Sequence, residues 1–344
     1  MKKRSNITVM AKLIGLVRPL TGYMILAIFL GLLGHLCASL LTVFGGYALL
    51  GIAGVYKVPT GFVFTLLLVC AFARGFLRYG EQSCNHFIAF KLLALLRDRV
   101  FFALRKLSPA KLEGRDRGDL IAVITLDIEL LEVFYAHTIS PAVIAFLFTV
   151  TACVFIGSFH PLLGVVALVA YLTVGLLVPF LLSKANGDNG LRFRERSGAL
   201  SGFVLDSLRG LSETIQYGQG AERLRRMNEQ TDALAEDEAR MKRLAGRGTA
   251  VTGAVILTAD LVMLVCASFL YQGGAVGFDG VLIPTLTLMS SFGPVVALAN
   301  LGSTLQNTFA AGNRVLDILE EKPQVEEVTG KEKVTFRDAG AEQV

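Results

Sequence analysis

Six long apolar segments constrain the fold of this chain more than any short motif does. They occupy residues 21–50, 60–80, 138–157, 161–182, 250–271 and 281–303. Each is long enough to cross the hydrocarbon core of a bilayer, which is about 30 Å thick and takes about 20 helical residues. Hydrophobic residues make up 53% of the 344 residues and charged residues only 18%, which is too apolar for a soluble domain. The sequence therefore predicts an all-α integral membrane protein with six transmembrane helices.

The positions of the basic residues predict the orientation. All but three of the 33 Lys and Arg residues lie in four segments beside the apolar runs, at 2–18, 91–117, 184–247 and 314–337. The three exceptions are Lys57, Arg74 and Arg78. Because basic loops remain on the cytoplasmic side, we expect a multi-pass protein of the cell membrane with both termini in the cytoplasm. The net charge of +5 follows from this topology, and no pattern indicates nucleic-acid binding.

Residues 1–19 precede the first span and predict a short interfacial helix. Lys12 and Arg18 are the polar residues expected to anchor it at the membrane surface. Its apolar face at helical spacing comprises Ile7, Met10, Ile14 and Val17.

The lengths between the spans predict long cytoplasmic helical extensions. Residues 61–107 contain no proline, and a continuous helix of this length reaches about 70 Å, more than twice the hydrocarbon thickness. Ser108 and Pro109 end this helix, and the chain returns to the third span. A second polar helical hairpin occupies residues 183–247. Paired helical stalks on one side of the membrane are typical of a machine driven by a cytoplasmic motor, and they argue against a secondary carrier.

Three segments carry a family resemblance. They are LSPAKLEGRDRGDLIAVITLDIELLEVFYAHTISP (107–141), LDSLRGLSETIQYGQGAERL (205–224) and NRVLDILEEKPQV (313–325). Together with the six spans and the stalks, they resemble the transmembrane domain of an ABC exporter half-transporter of the CydC/CydD type. The resemblance implies a six-helix transmembrane domain over 20–310 and a linker over 311–331.

The same resemblance implies two coupling segments at the stalk tips, at 109–118 and 212–220, which would dock on nucleotide-binding domains. Their candidate contact residues are Pro109, Glu113, Arg115, Ser212, Glu213 and Tyr217. The alternative is that these segments are ordinary solvated turns.

Residues 332–344 resemble the start of a nucleotide-binding domain, with a first strand at 334–338. No G-x-x-x-x-G-K-[ST] phosphate loop occurs in the sequence. We therefore assign no catalytic site to this chain and expect ATP and Mg to be bound by a further domain of an ATP-hydrolysing translocase. A fragment of a longer protein is the preferred interpretation, and a separately encoded motor subunit is the alternative.

Ionisable side chains inside the second span are candidate cargo contacts, because charges in a membrane are costly. Arg74, Arg78, Glu81 and Asn85 are spaced i, i+4, i+7 and i+11, so they form one helical stripe, which Gln82 and His86 flank. Two arginines can bind carboxylates of a cargo through paired hydrogen bonds. The alternative is that Glu81 neutralises Arg78 and the remaining side chains face water.

Two further residues have open interpretations. His86 matches a position in CydC-type subunits at which a histidine has been linked to heme coordination, so the resemblance implies a heme-iron ligand; the alternative is a histidine hydrogen-bonded to water or a neighbouring helix. Asp260 lies mid-span without a cationic neighbour one turn away. We expect it to pair with Arg74 or Arg78, either permanently or as a gate.

The resulting prediction is the permease part of a dimeric ATP-driven exporter working by alternating access. Its partners would be a second half-transporter, nucleotide-binding domains and membrane lipid; a heterodimer is preferred and a homodimer stays open. The resemblance suggests heme or a heme-linked or small-thiol compound as cargo. Alternatives are a lipid, peptide or drug exporter and, in another class, a non-transporting heme-binding or regulatory membrane protein.

Overall fold

A computed structural model describes residues 4–55, 57, 59–109, 120–121, 123–186, 189–299 and 302–324. This part of the chain contains helices and no strand. It includes six helices that are long and apolar enough to cross a membrane. The predicted fold class and the predicted number of spans are therefore confirmed.

The helices are numbered in chain order. Before the tip of the first stalk they are α1 (Asn6–Leu16), α2 (Thr21–Ile52) and α3 (Thr60–Leu107). The next helix is α4 (Val123–Gly157), which includes π-helical turns at Val123–Asp127 and Tyr135–Ile139. Helix α5 follows and has three parts: Pro161–Leu172, a π-helical turn at Thr173–Leu177, and Val178–Asn186. The remainder are α6 (Asn189–Arg209), α7 (Leu211–Gln216), α8 (Gly220–Gln272), α9 (Phe278–Ser291), α10 (Gly293–Ala299) and α11 (Gly302–Glu320).

The two stalks are continuous with membrane helices. Helix α3 has 48 residues and ends at Leu107, directly before Ser108 and Pro109, as the sequence predicts. Helix α8 has 53 residues and packs against α6. The ion pair between Arg196 and Asp237, at 2.8 Å, joins these two helices in the second stalk.

Helices α2 and α3 pack closely because small residues lie at their contact. A Cβ atom on Gly31 of α2 would lie 2.9 Å from Cδ of Glu81 on α3. A Cβ atom on Gly34 would lie 3.6 Å from Cβ of Leu77. This close approach positions the second span, with its polar side chains, against the first.

The apolar interior forms two main clusters. The stalk-side cluster joins α1, α3, α4 and α11, and its members include Leu13, Leu96, Leu131 and Val315. The cluster at membrane level joins α4, α5, α8 and α9, and its members include Phe148, Tyr171, Met263 and Leu288. Helix α11 thus belongs to the packed stalk-side cluster and runs without a break from Gly302 to Glu320.

The N-terminal helix α1 buries one face against the protein. Val9, Leu13 and Val17 are buried, whereas Ile14, on the apolar face predicted for a membrane surface, is 44% exposed. The buried face packs on α11. The opposite apolar side remains available to a membrane surface. Residues 325–344, including the predicted start of a nucleotide-binding domain, lie outside the described residues.

Candidate functional site

The polar residues of α3 divide between two environments. Glu81 and Asn85 are 2% and 1% exposed, because α2 and the α4 region pack against their side of the helix. Arg74, Arg78 and His86 are exposed. The residues predicted to form one stripe therefore divide into a buried group and an exposed group. Gln82, which is partly buried, lies beside them.

Arg78 forms an ion pair with Glu81. Its Nη1 donates a hydrogen bond to Oε2 of Glu81 at 2.7 Å, and the two side chains are 53% and 3% exposed. The buried carboxylate is thus neutralised within one helical turn, while the guanidinium still presents donors outward. Arg74 has no ion pair with any residue that the structure describes. The positive charge of Arg74 is therefore not compensated by any of the described residues.

Asn85 contributes a buried acceptor. Its Oδ1 has no hydrogen-bond partner within the described ranges. Because an unsatisfied buried amide costs about 1–3 kcal/mol, this atom marks a position where a donor from water, cargo or a second subunit would be stabilising.

His86 lies beside a second histidine that the sequence analysis did not single out. The rings of His86 and His137 are 5.8 Å apart at their centroids, and Phe90 is 6.0 Å from His86. His137 is exposed and sits in the π-helical turn Tyr135–Ile139. The sequence signal for His137 was its place at the start of the third apolar segment, in FYAHTIS. Only the packing of α3 on α4 brings the two imidazoles together.

His35 on α2 has an aromatic packing contact and lies near two positive charges. Its ring makes an edge contact with Phe148, with centroids 6.0 Å apart. It also lies close enough to Arg74 and Arg78 to interact with both charges. His35 therefore lines the same region as the two arginines.

Asp260 does not form the expected ion pair with Arg74 or Arg78 in this structure. It is 8% exposed, and its Oδ1 lacks a hydrogen-bond partner in the part of the chain that the structure describes. Its carboxyl group interacts electrostatically with Tyr171, whose hydroxyl lies 2.5 Å from that of Ser291. The principal packing explains the separation, because α8 packs on α5, α6 and α9 whereas α3 packs on α2, α4 and α11.

The second stalk tip carries a short exposed helix, α7. Ser212 and Glu213 are exposed, as are the apolar side chains of Leu211, Ile215 and Tyr217, at 51%, 71% and 74%. Large apolar side chains at a solvated tip are typical of a protein contact. At the first tip Pro109 is exposed beyond the end of α3, while Glu113 and Arg115 lie outside the described residues.

Among the described residues, no three His, Cys, Asp or Glu side chains are grouped so that they could hold a metal ion. The pair of His86 and His137 is the arrangement of imidazoles available to an iron or another metal. Any metal group bound there would need further ligands of its own, as a porphyrin has.

Comparison with known proteins identifies the family. The ABC transporter transmembrane region matches residues 24–295. The chain belongs to this family. The six spans and two helical stalks of the structure are thus those of an ABC transporter permease, and the chain is a multi-pass membrane protein.

Relatives of this ABC permease include longer proteins. A probable ABC transporter ATP-binding/permease protein of Haemophilus influenzae is 39% identical over 328 residues, which cover 95% of this chain and 59% of that protein. The glutathione/L-cysteine transport system ATP-binding/permease protein CydC of Escherichia coli is 26% identical, over 83% of this chain and 51% of that protein. A fatty acid ABC transporter ATP-binding/permease protein of Mycobacterium tuberculosis is 22% identical, over 77% and 43%. The chain thus spans about half the length of these relatives, from 43% to 59%.

Proposed function

We propose that this ABC permease is half of a dimeric, ATP-driven exporter that moves a small carboxylate-bearing molecule outward across the cell membrane. The observation that carries the proposal is the exposed cationic surface of Arg74 and Arg78 on α3. Both termini lie in the cytoplasm, as the distribution of basic residues favours. ATP and Mg are bound by nucleotide-binding domains, in keeping with the ATP-binding/permease names of the relatives.

The cationic surface supports a dimer. A charged side chain facing lipid at membrane depth is costly, so intramembrane arginines face a protein partner or a water-filled cavity. Arg78 is 53% exposed at its side chain, and several neighbours on α3 are large apolar groups, among them Phe72 and Phe76. A second half-transporter opposite α3 would enclose both kinds of surface. A heterodimer is the preferred arrangement because the relatives include both CydC and CydD proteins.

The arginines favour a cargo with carboxylate groups. Guanidinium groups bind carboxylates through paired hydrogen bonds, and His35 adds a third polar group near both arginines. Glutathione, cysteine and fatty acids, which the relatives' names mention, all carry carboxylates. Small thiol compounds remain the preferred cargo, and lipids are the first alternative.

A transport assay tests this proposal directly. The complete transporter, with its motor domains, is placed in inside-out vesicles and supplied with ATP and labelled glutathione, cysteine or fatty acid. Arg74→Gln and Arg78→Gln should each reduce uptake by about tenfold or more, the equivalent of a lost charged hydrogen bond. Lys91→Gln, a control on the same helix, should leave uptake unchanged. Equal uptake by all variants would overturn the assignment of the arginines.

Heme is a second candidate, as cargo or as a bound ligand. The residues fit an iron ligand, because His86 is exposed and adjacent to His137, and Arg74 and Arg78 are available to propionates. Absorption spectra of the purified chain with added hemin provide the test. A Soret shift that His86→Ala abolishes and His160→Ala preserves would support ligation. An identical spectrum for wild type and His86→Ala would exclude His86 as the iron ligand. Heme binding by the chain without transport in the vesicle assay would favour a regulatory protein.

The exposed apolar residues of α7 support a coupling role for the second stalk tip. In the complete transporter, Ile215→Ser should lower transport more than ATP hydrolysis, because it weakens contact between the motor and the permease rather than the motor itself. Leu224→Ser, on α8 near the same tip and also exposed, is the comparison variant. Loss of ATP hydrolysis and transport in equal proportion would argue against a coupling contact.

A further inference from the structure

A buried polar cluster lies where α5, α8 and α9 pack together, on different helices from the cationic surface of α3. It consists of Asp260 on α8, Tyr171 on α5 and Ser291 on α9, and all three residues are buried. They lie within the predicted fourth, fifth and sixth spans. Because polar side chains at membrane depth are costly, a cluster of this kind is a candidate functional site.

The hydroxyl groups of Ser291 and Tyr171 have no proton left for Asp260. Ser291 donates a hydrogen bond to the backbone carbonyl of Leu288 at 2.7 Å. Because a serine has a single hydroxyl proton, Tyr171 must be the donor in the 2.5 Å hydrogen bond between the two hydroxyl groups. The oxygen of Tyr171 can therefore accept a hydrogen bond or contact a cation, but it cannot donate to a carboxylate.

Asp260 has no positively charged neighbour among the described residues. It interacts electrostatically with Tyr171, and no Lys, Arg or His side chain acts on it. The other titratable side chains on the surrounding helices are a thiol beside Tyr171, groups at helix ends and charges in the stalk. They are Cys153 on α4, Lys184 in the last turn of α5, Asp279 in the first turn of α9, and the charged residues of α6, which meets α8 in the stalk as Arg196 does Asp237.

Two local irregularities of the backbone flank this cluster. The π-helical turn Thr173–Leu177 begins shortly after Tyr171, and α9 ends at Ser291. Here α5 and α10 approach closely, since a Cβ atom on Gly175 would lie 2.9 Å from Cγ1 of Val295. Single π-helical turns inside α-helices are frequent at functional sites.

We propose that Asp260 binds a small monovalent cation, a proton or a sodium ion, and that the oxygen of Tyr171 completes the site. The buried Oδ1 of Asp260 has no hydrogen-bond partner in the part of the chain that the structure describes. An isolated ionised carboxylate away from water is very costly, so this atom requires a compensating charge. Because the packed helices of its own chain already bury the atom, the occupant must be small.

Either cation uses the same two oxygens. A proton on Asp260 is donated to the oxygen of Tyr171 as a hydrogen bond, and a sodium ion takes both oxygens as ligands. Occupancy would therefore stabilise the packing of α5 on α8 in the conformation described here. Cation binding at Asp260 is independent of the proposed cargo contacts, which lie on α3.

Carbodiimide labelling of the complete transporter, with its motor domains, tests the site. The reagent N,N′-dicyclohexylcarbodiimide adds to a protonated carboxyl group in an apolar setting without a leaving group. In sodium-free buffer, peptide mass spectrometry should find Asp260 labelled, and the labelled fraction should fall several-fold as the pH is raised. Glu81, which is as deeply buried but paired with Arg78 at 2.7 Å, should be labelled several-fold less.

Added salt distinguishes the two cations. A sodium ion bound to the carboxylate excludes the proton that the reagent needs. Suppression of labelling at Asp260 by sodium chloride but not by choline chloride would identify sodium as the occupant. A labelled fraction that sodium chloride leaves unchanged would identify the proton.

Thermal unfolding of the same protein is a measurement that does not require the reagent to reach Asp260. A ligand that binds only the folded state raises the unfolding midpoint. Relative to Asp260→Asn, the midpoint of wild type should therefore fall as the pH is raised, or rise as sodium is added. Asp232→Asn, which changes an exposed carboxylate on the same helix, should keep the wild-type response. An unlabelled Asp260, together with identical responses of wild type and Asp260→Asn to pH and sodium, would overturn the proposal.

Discussion

The hydroxyl of Tyr135 donates a hydrogen bond to the backbone carbonyl of Leu13 at 3.0 Å, joining the third span to the N-terminal helix. Both residues are buried in the stalk-side cluster. Tyr135→Phe keeps the ring but leaves the carbonyl without this donor. We expect it to lower the free energy of unfolding by about 1 kcal/mol, measured by thermal unfolding in detergent.

Tyr79→Phe is the control for that experiment. Tyr79 is 76% exposed, so removal of its hydroxyl should leave the unfolding midpoint unchanged. Equal midpoints for Tyr135→Phe and wild type would mean that the attachment of α1 to α4 does not depend on this hydrogen bond.

The carboxylate of Asp127 and the guanidinium of Arg314 form an ion pair between α4 and α11. The side chain of Asp127 is 1% exposed and that of Arg314 is 41% exposed. Arg314→Gln removes the charge that compensates a buried carboxylate, so we expect destabilisation by about 1–3 kcal/mol. Arg240→Gln, which breaks a pair on the stalk surface at 3.6 Å, should cost less than about 0.5 kcal/mol.

A double-mutant cycle isolates this interaction. Asp127→Asn combined with Arg314→Gln should be less destabilising than the sum of the two single variants, with a coupling of about 0.5–3 kcal/mol. Strict additivity would contradict the pairing.

The spans and stalks could be predicted from the sequence because their causes are local. A bilayer imposes a minimum apolar length, and Pro109 prevents α3 from continuing. The end of α3 at Leu107 is therefore confirmed. The burial of Val9 and Leu13 in α1 could not be predicted from local sequence, because these residues share a cluster with α11, which lies some 300 residues further along the chain.

The candidate site was less predictable because helix packing decides it. Spacing alone places Glu81 and Arg74 on the same stripe of α3. The close approach of Gly31 on α2 buries Glu81, whereas Arg74 remains exposed. The contact between His86 and His137 likewise depends on the packing of α3 on α4, which are separated in sequence by the first stalk tip. The pairing of Asp260 with an arginine of α3 is not formed here and stays a prediction for another state of the transport cycle.

The Glu320 carboxylate accepts a hydrogen bond from Lys12 and one from Arg4, which ties α11 to the N-terminal helix. The Lys12 hydrogen bond, aided by Arg4, holds the pKa of this carboxyl below its ordinary value. A carboxyl with a lowered pKa stabilises the fold above its unfolded pKa, and this contribution is lost as the pH falls through the folded pKa. Because the side chains of Lys12 and Glu320 are both exposed, we expect their ion pair to contribute at most about 1 kcal/mol to the free energy of unfolding.

We therefore expect the unfolding midpoint of wild type to exceed that of Glu320→Gln at neutral pH. The two should converge on acidification through and below the usual glutamate range. Lys12→Gln should remove most of the same pH dependence. A constant difference between wild type and Glu320→Gln at every pH would exclude the ionised pair as its source.

The hairpin of α4 and α5 depends on the close contact of Gly157 with Gly164. A Cβ atom on Gly164 would lie 2.9 Å from Cα of Gly157 and 3.2 Å from the carbonyl oxygen of Cys153, so backbone atoms would have to move. We expect Gly164→Ala to destabilise the chain by about 1–3 kcal/mol through this overpacking. Gly253→Ala is the matched control, because a Cβ atom there meets nothing within 4 Å, and alanine should raise stability by up to about 1 kcal/mol through its helix propensity. Thermal unfolding of both variants in the same detergent compares them, and a Gly164→Ala midpoint at or above that of wild type would show that the two helices can separate without cost.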